Sequence, residues 1–280
     1  MVLAELDQLV AQEPEAELIV LSEYTFSGDV PEAIRVWCRA HRKHLIAGGR
    51  DEIDHERFYN TAFVVGPTGE TVFKQAKSVP IQFFQDGLPA PRQQVWDSPW
   101  GRLGIGICYD LSYRQVMDEY VRLGAEALIV PTMDVEEWGR EQHHLHARVA
   151  PMRAMEYGLP ILRLASSGVS QLATPAGAVT ATAPFPGQSR IIVGDLPLNG
   201  AGRIPIDVWL APLCLWLSTA LIVLLATESV LIRVPFPRLG NLVRRRVQCS
   251  ADFAVPHPPV FSSTMSCGAA SRCPAGLTRT

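Results

Sequence analysis

From position 208 to 227 the chain reads VWLAPLCLWLSTALIVLLAT, twenty consecutive positions without a charge. Nothing else in the sequence restricts the fold as much. A helix of about 20 residues matches the hydrocarbon thickness of a bilayer. The apolar side chains surround the helix instead of forming one stripe, so no globular core would leave a polar face outward. The run predicts a transmembrane helix over 206–228, bracketed by Asp207 and Glu228. Pro212 falls near its start, where a missing N–H is tolerated, and Trp209 sits where an aromatic ring reaches a membrane interface. Arg233, Arg238, Arg244, Arg245 and Arg246 follow the run, whereas the nearest basic residue before it is Arg203. The positive-inside rule then predicts a cytoplasmic C-terminus, with the preceding domain on the periplasmic side of a cell inner membrane.

The span divides the chain into three zones. Residues 1–197 read as one globular domain, long enough for a sizeable core. Residues 229–280 read as a basic flank and a disordered tail, rich in Ser, Ala, Pro and Gly without apolar periodicity. Charge is nearly balanced, 25 Lys+Arg against 28 Asp+Glu, which gives no electrostatic footprint for nucleic acid. The six cysteines show neither CxxC pairs nor regular spacing, so neither a disulfide framework nor a zinc site is expected. The N-terminus carries acids and no basic segment leading into an apolar core, unlike a signal peptide.

Within 1–197, unbroken apolar runs alternate with helical patterns. ELIVLSE (17–23), HLIAGGR (44–50), TAFVVGP (61–67), GRLGIGICYD (101–110), EALIVPT (126–132) and LPILRLASS (159–167) read as strands covered on both faces. Helices are expected over 31–43, 113–124 and 136–158, the last kinked or broken by Pro151. Hairpin turns are expected at GPTGE (66–70) and TPAGA (174–178). The class is α/β.

Three polar residues stand at or near strand ends: Glu23, Lys77 and Cys108. In α/β folds such ends border the crevice where distant parts of the chain meet. A thiolate is a strong nucleophile, and a carboxylate within reach can take the thiol proton. An ammonium lowers a thiol pKa and can hold a tetrahedral oxyanion together with a backbone N–H. The three together suffice for acyl transfer through a thioester, with the glutamate as base in both halves. Lys74 competes for the lysine position, but Lys77 stands three residues before Pro80.

LIVLSEYTFSG (18–28), KSVPIQFFQDG (77–87) and GRLGIGICYDLSYR (101–114) resemble, in order, the glutamate, lysine and nucleophile segments of the carbon–nitrogen hydrolase (nitrilase) superfamily. That resemblance implies an α-β-β-α sandwich, a Glu23–Lys77–Cys108 triad, a Tyr109 backbone N–H as second oxyanion donor, and neither metal nor organic cofactor. Many members carry a second glutamate just past the lysine. Here that stretch offers Gln82, Gln85 and Asp86, and Gln85 is expected to orient Lys77 by a hydrogen bond. The family's first strand is not found ahead of Glu17, so the domain reads as lacking it, and the chain as a shortened piece. His143, His144 and His146 have no acidic or cysteine partner at ligand spacing in the sequence, and no metal is assigned to them.

HHLHARVAPMRAMEYGLPILRLASSGVS (143–170) and TMDVEEWG (132–139) resemble the matching stretches of the apolipoprotein N-acyltransferase branch, as does a span following the domain. That branch implies a phospholipid acyl donor, a lipoprotein N-terminal amine as acceptor, and the membrane as partner. Tethering the nucleophile beside a bilayer-borne substrate raises its effective concentration. An amidase that resolves the thioester with water, and an inactive fragment that binds a partner, are the alternatives.

Overall fold

The computed structural model describes residues 2–82, 84–186 and 190–233, the last four of these by backbone alone. The chain divides into two compact units, one ending at Trp209 and the other beginning at Leu210. Of the basic flank and tail expected over 229–280, residues 229–233 are helical, and the remainder, with Arg238, Arg244, Arg245 and Arg246, lies outside the described residues.

In the first unit the elements run α1 (Val2–Gln12), β1 (Leu18–Val20), α2 (Glu32–His41), β2 (His44–Glu52), β3 (Phe58–Val65), β4 (Thr71–Ala76), β5 (Val95–Ser98) and β6 (Gly101–Ile105). A 3-10 turn, Cys108–Ser112, then leads into α3 (Arg114–Arg122) and β7 (Ala127–Thr132). The unit continues with α4 (Gly139–Ala147), α5 (Val149–Tyr157), β8 (Ile161–Ala165), β9 (Ser170–Ala173) and β10 (Val179–Ala183). The segment before β1 is helical in α1, where the sequence offers no strand. Helix α6 (Asp207–Arg233) begins in this unit and continues into the second.

The strands form two sheets, ordered β1-β2-β3-β4 and β10-β9-β8-β7-β6-β5. Strand alternation assigns each sheet to two cores at once. In the first sheet Leu45, Ala47, Phe63 and Val65 face Leu6 of α1 and Ile34 and Trp37 of α2. Their neighbours Ile46, Ala62 and Val64 face Leu103, Ile105, Ala127 and Ile129 of the second sheet. Leu128 and Val130 of β7 point the other way, onto Met117 and Tyr120 of α3 and Ala150 and Ala154 of α5. The result is the α-β-β-α sandwich of the nitrilase fold. The unbroken apolar runs of β3, β7 and the first half of β2 belong to strands buried on both faces, whereas β4, β5 and β10 are partly exposed.

Both expected hairpins form, as antiparallel β3–β4 and β9–β10. The helix expected over 136–158 is two helices, and the break falls at Arg148, not at Pro151. Pro151 therefore sits in the first turn of α5, where its absent N–H removes no helical hydrogen bond.

Between Asp207 and Ser229, α6 meets the length and composition required to cross a membrane. None of its most apolar window is buried, and Trp216 is 74% exposed.

Candidate active site

Glu23, Lys77 and Cys108 each follow a strand that the core holds firmly. Glu23 lies just past β1, and the chain there runs so close to β2 that a Cβ on Gly48 would stand 2.5 Å from the Glu23 Cα. Lys77 is the first residue beyond β4, and its N–H donates to the Asn60 carbonyl across the sheet. Cys108 opens the 3-10 turn after β6 with φ of 51°, a left-handed conformation uncommon outside glycine. Such a backbone persists only where surroundings over-determine it, and it turns the side chain out of the strand line.

Asp110 supplies that constraint. Its carboxylate accepts from Ile107 N–H at 3.0 Å, Ser78 N–H at 3.0 Å and Val79 N–H at 2.8 Å. One buried side chain thus ties the nucleophile turn to the lysine loop. Burial pushes the Asp110 carboxyl up to about 6 despite these donors.

The Glu23 carboxylate is almost fully subscribed. Its Oε1 accepts from Lys77 Nζ at 2.9 Å and Asn60 Nδ2 at 2.6 Å, and its Oε2 from Met133 N–H at 2.6 Å. The Cys108 thiol lies against Met133 from the other side, donating to the Met133 carbonyl at 3.8 Å. Lys77 Nζ also lies 2.7 Å from Asp86 Oδ2, and both ends of that pair are buried. Asp86 in turn accepts from Asn60 Nδ2, Tyr24 Oη and Ile81 N–H. The structure therefore brings Glu23, Lys77 and Cys108 together.

Burial opposes the Lys77 ammonium, but Cys108, Glu23 and Asp86 outweigh it and raise the lysine's pKa. Burial and then Glu23 push the Cys108 thiol well up, and the opposing field of Lys77 does not compensate. A net lowering by the lysine, expected from the sequence, is thus reversed. The resting group is a thiol, and its proton must leave as the sulfur attacks.

The lysine's second partner also differs from expectation. Gln85 is exposed and makes no hydrogen bond to Lys77 among the described residues, whereas its neighbour Asp86 is buried beneath the loop. Charge decides the outcome: a buried ammonium is better compensated by a second carboxylate than by a neutral amide. Lys74 lies elsewhere, in an exposed pair with Asp51 at 3.0 Å. Tyr109 occupies the first turn after the nucleophile, where N–H groups lack acceptors within the helix, and its ring meets Tyr113 edge-on.

A second network, not legible in the sequence, adjoins the thiol. Arg163 and Asp134 are both fully enclosed and paired at 2.6 Å, and His146 Nδ1 lies 2.8 Å from Asp134 Oδ1. Burial favours a protonated Asp134, but His146 and Arg163 overcome it and hold the carboxyl down at about 2. Ligand-type atoms of Cys108, Asp134 and His146 lie within 4.8 Å of one another. Space thus supplies the acidic and cysteine partners that the sequence spacing of the histidines withheld. The buried Arg163 guanidinium occupies one Asp134 oxygen and repels a cation, so the donor set fits a hydrogen-bond network better than a metal.

Two cavities flank the site. One, of about 370 Å³, is lined by Cys108, Tyr109, Tyr113, Trp138 and His146. The other, of about 480 Å³, is lined by Glu23, Lys77, Arg50, Phe84 and Trp138. Trp138 borders both.

Comparison with known proteins agrees with this geometry. The sequence model of a family described as carbon–nitrogen hydrolase matches residues 3–205. Omega-amidase NIT2-B of Xenopus laevis is 34% identical over 98 residues, 31% of this chain and 36% of that protein. Apolipoprotein N-acyltransferase of Geobacter metallireducens is 23% identical over 169 residues, 53% of this chain and 32% of that protein. In these alignments the chain spans about a third of the length of its curated relatives. The NitN amidase of Nesterenkonia sp. AN1 superposes with a TM-score of 0.58 at 21% identity, over 70% of this chain and 85% of that one. A carbon–nitrogen hydrolase of Helicobacter pylori G27 does so with a TM-score of 0.56 at 20% identity, over 64% and 77%.

Proposed function

The chain belongs to the carbon–nitrogen hydrolase family, and from that premise we propose that it is an amidase working through a thioester on Cys108. The observation that carries this reading is the buried carboxylate–ammonium cluster of Glu23, Lys77 and Asp86 beside the thiol, with Met133 bonded to both through its N–H to Glu23 and its carbonyl to Cys108. Glu23 takes the thiol proton as sulfur attacks the amide carbonyl and the S–C bond forms. The Lys77 ammonium and the Tyr109 N–H hold the oxyanion. Collapse breaks the C–N bond, and Glu23 passes its proton to the departing amine. Water then resolves the thioester to the free acid and regenerates the thiol. The names of the omega-amidase relatives support a small amide as substrate.

A second reading rests on a specific observation, the apolar helix between Asp207 and Ser229. With the similarity to apolipoprotein N-acyltransferase, it supports a membrane-anchored enzyme whose thioester is resolved by an amine. The acyl donor would then be a phospholipid and the acceptor a lipoprotein N-terminus, with the domain on the periplasmic side of the inner membrane.

One experiment separates the two. The full chain, reconstituted in phospholipid vesicles, is given small aliphatic amides and, separately, a lipopeptide with a free diacylated N-terminal cysteine. The amidase reading expects ammonia release that disappears in Cys108→Ala, with the lipopeptide unchanged. Acylated lipopeptide without ammonia release overturns it in favour of acyl transfer.

A further inference from the structure

The Met133 main chain meets both reacting groups. Its N–H donates to Glu23 Oε2 at 2.6 Å, and its carbonyl accepts from the Cys108 thiol at 3.8 Å. Glu23 follows β1 and Cys108 follows β6, in different sheets, so their relative placement depends on where this one residue stands. Met133 is itself 36% exposed, and packing of its own side chain holds it weakly. The hold has to come from its neighbours.

The next residue supplies it. Asp134 Oδ2 accepts from Arg163 Nη2 at 2.6 Å, and Asp134 Oδ1 lies 2.8 Å from His146 Nδ1. Arg163 Nη2 stands 3.0 Å from the same imidazole nitrogen, so the three side chains close a triangle. Arg163 also donates to the Val169 carbonyl, and the Asp134 N–H donates to Ser166 Oγ at 3.2 Å. The turn after β8 is shaped to admit the carboxylate: a Cβ on Gly168 would stand 1.9 Å from Asp134 Oδ2. Desolvation offsets most of the attraction in an enclosed ion pair, so net stability is a weak reason for one. Nor does the charge of Asp134 assist the sulfur. Burial and Glu23 push the Cys108 thiol up, and Asp134 adds to that rise. What the pair offers the site is the place where it holds the chain.

We propose that Arg163 and Asp134 are positioning residues, which pin the end of β7 so that the Met133 main chain sets Glu23 and Cys108 in register for attack. Neither touches the substrate, and His146 braces the Asp134 carboxylate. The inference rests on the thioester reading above and concerns its first half. There the thiol proton passes to Glu23 as the bond from sulfur to the carbonyl carbon forms, and both partners must be in place at once. A displacement of about 1 Å in such a constellation costs about 10²-fold in rate.

The test uses the full chain in detergent micelles with p-nitrophenyl acetate as acyl donor and Cys108→Ala as the blank. The p-nitrophenolate burst and the acetyl mass on Cys108 after rapid quenching report acylation. The double variant Asp134→Leu/Arg163→Met replaces the pair with apolar side chains, a change that buried pairs often tolerate. Gly168→Ala displaces Asp134 and alters no charge. Each is expected to keep its burst amplitude per molecule and to slow the burst rate constant about 10- to 10²-fold, with the half-saturating ester concentration within about twofold of wild type. Arg163→Lys keeps the charge opposite Asp134 but not the planar fork, and its rate constant is expected between wild type and the double variant. A pair that only stabilised the fold would lower the amplitude, because unfolded chains do not react, and leave the rate constant of the remainder unchanged. A wild-type rate constant in both the double variant and Gly168→Ala overturns the proposal, whatever the amplitude. Wild-type protein that never carries acetyl on Cys108 instead removes the thioester reading, and the proposal falls with it.

Discussion

Replacing Lys77 by methionine tests the electrostatic centre of the site. The ammonium is fully enclosed and lies 2.9 Å from Glu23 and 2.7 Å from Asp86. Methionine fills much of the same volume and removes the charge, so two buried carboxylates are left without their cation. Breaking a buried pair in this way costs about 3–5 kcal/mol. Glu23 keeps donors from Asn60 and Met133, and Asp86 keeps Asn60, Tyr24 and Ile81. Those bonds place the expected loss near the lower end, about 3 kcal/mol. Adding Asp86→Asn removes one uncompensated charge and should recover about 1–2 kcal/mol, a coupling expected of groups in one network. Urea unfolding in non-ionic micelles, followed by near-UV circular dichroism, reads each member of the cycle. A Lys77→Met cost below about 1 kcal/mol, the range of exposed pairs, would refute the reasoning. So would a double variant in which the two costs simply add.

Three further outcomes follow from the same geometry. Asp86→Asn should depress amide turnover at least tenfold, whereas exposed Gln85→Ala should leave it within about twofold, since Asp86 pairs with Lys77 and Gln85 makes no bond to it among the described residues; steady-state kinetics checks the contrast. Gly48→Ala would put a methyl 2.5 Å from the Glu23 backbone, so it should cost about 1–3 kcal/mol in unfolding free energy and misplace the carboxylate enough to lower turnover. Asp134 titrates at about 2, below the ordinary carboxyl value of 3.8, so its stabilisation is complete above that value and is lost as pH falls through 4 to 2. That loss is worth about 2 kcal/mol, and melting temperature against pH should drop over this interval; a flat profile there contradicts the assignment.

The two-sheet architecture was legible because burial on both faces forces unbroken apolar strands, and β2, β3, β6, β7 and β8 carry that signature. Glu23 and Cys108 were legible for a related reason: a polar residue terminates each apolar run. The partners around them were not. Asp86 reaches Lys77 only because the intervening loop folds back, and no periodicity encodes loop closure. Asn60 precedes the apolar part of β3, so nothing in its neighbours announces that it binds two carboxylates. Arg163 did give a signal, a charge in the middle of an apolar strand, and such a residue requires a buried counter-ion. The identity of that partner, Asp134 at the end of β7, depends on the register of β7 against β8, which pairs Val130 with Arg163. The break in the 136–158 helix was assigned to Pro151 on composition, but the structure uses that proline in a first turn and breaks at Arg148.

The account stands on Glu23, Lys77 and Cys108 acting as one acyl-transfer centre. Its most direct test is intact-protein and peptide mass spectrometry after brief exposure of the full chain to a short acyl ester. An acyl mass confined to Cys108, present in the wild type and absent from Glu23→Gln and Cys108→Ala, is the predicted result. Acylation at Cys38 or Cys214 in its place, or an undiminished Cys108 adduct in Glu23→Gln, would contradict it.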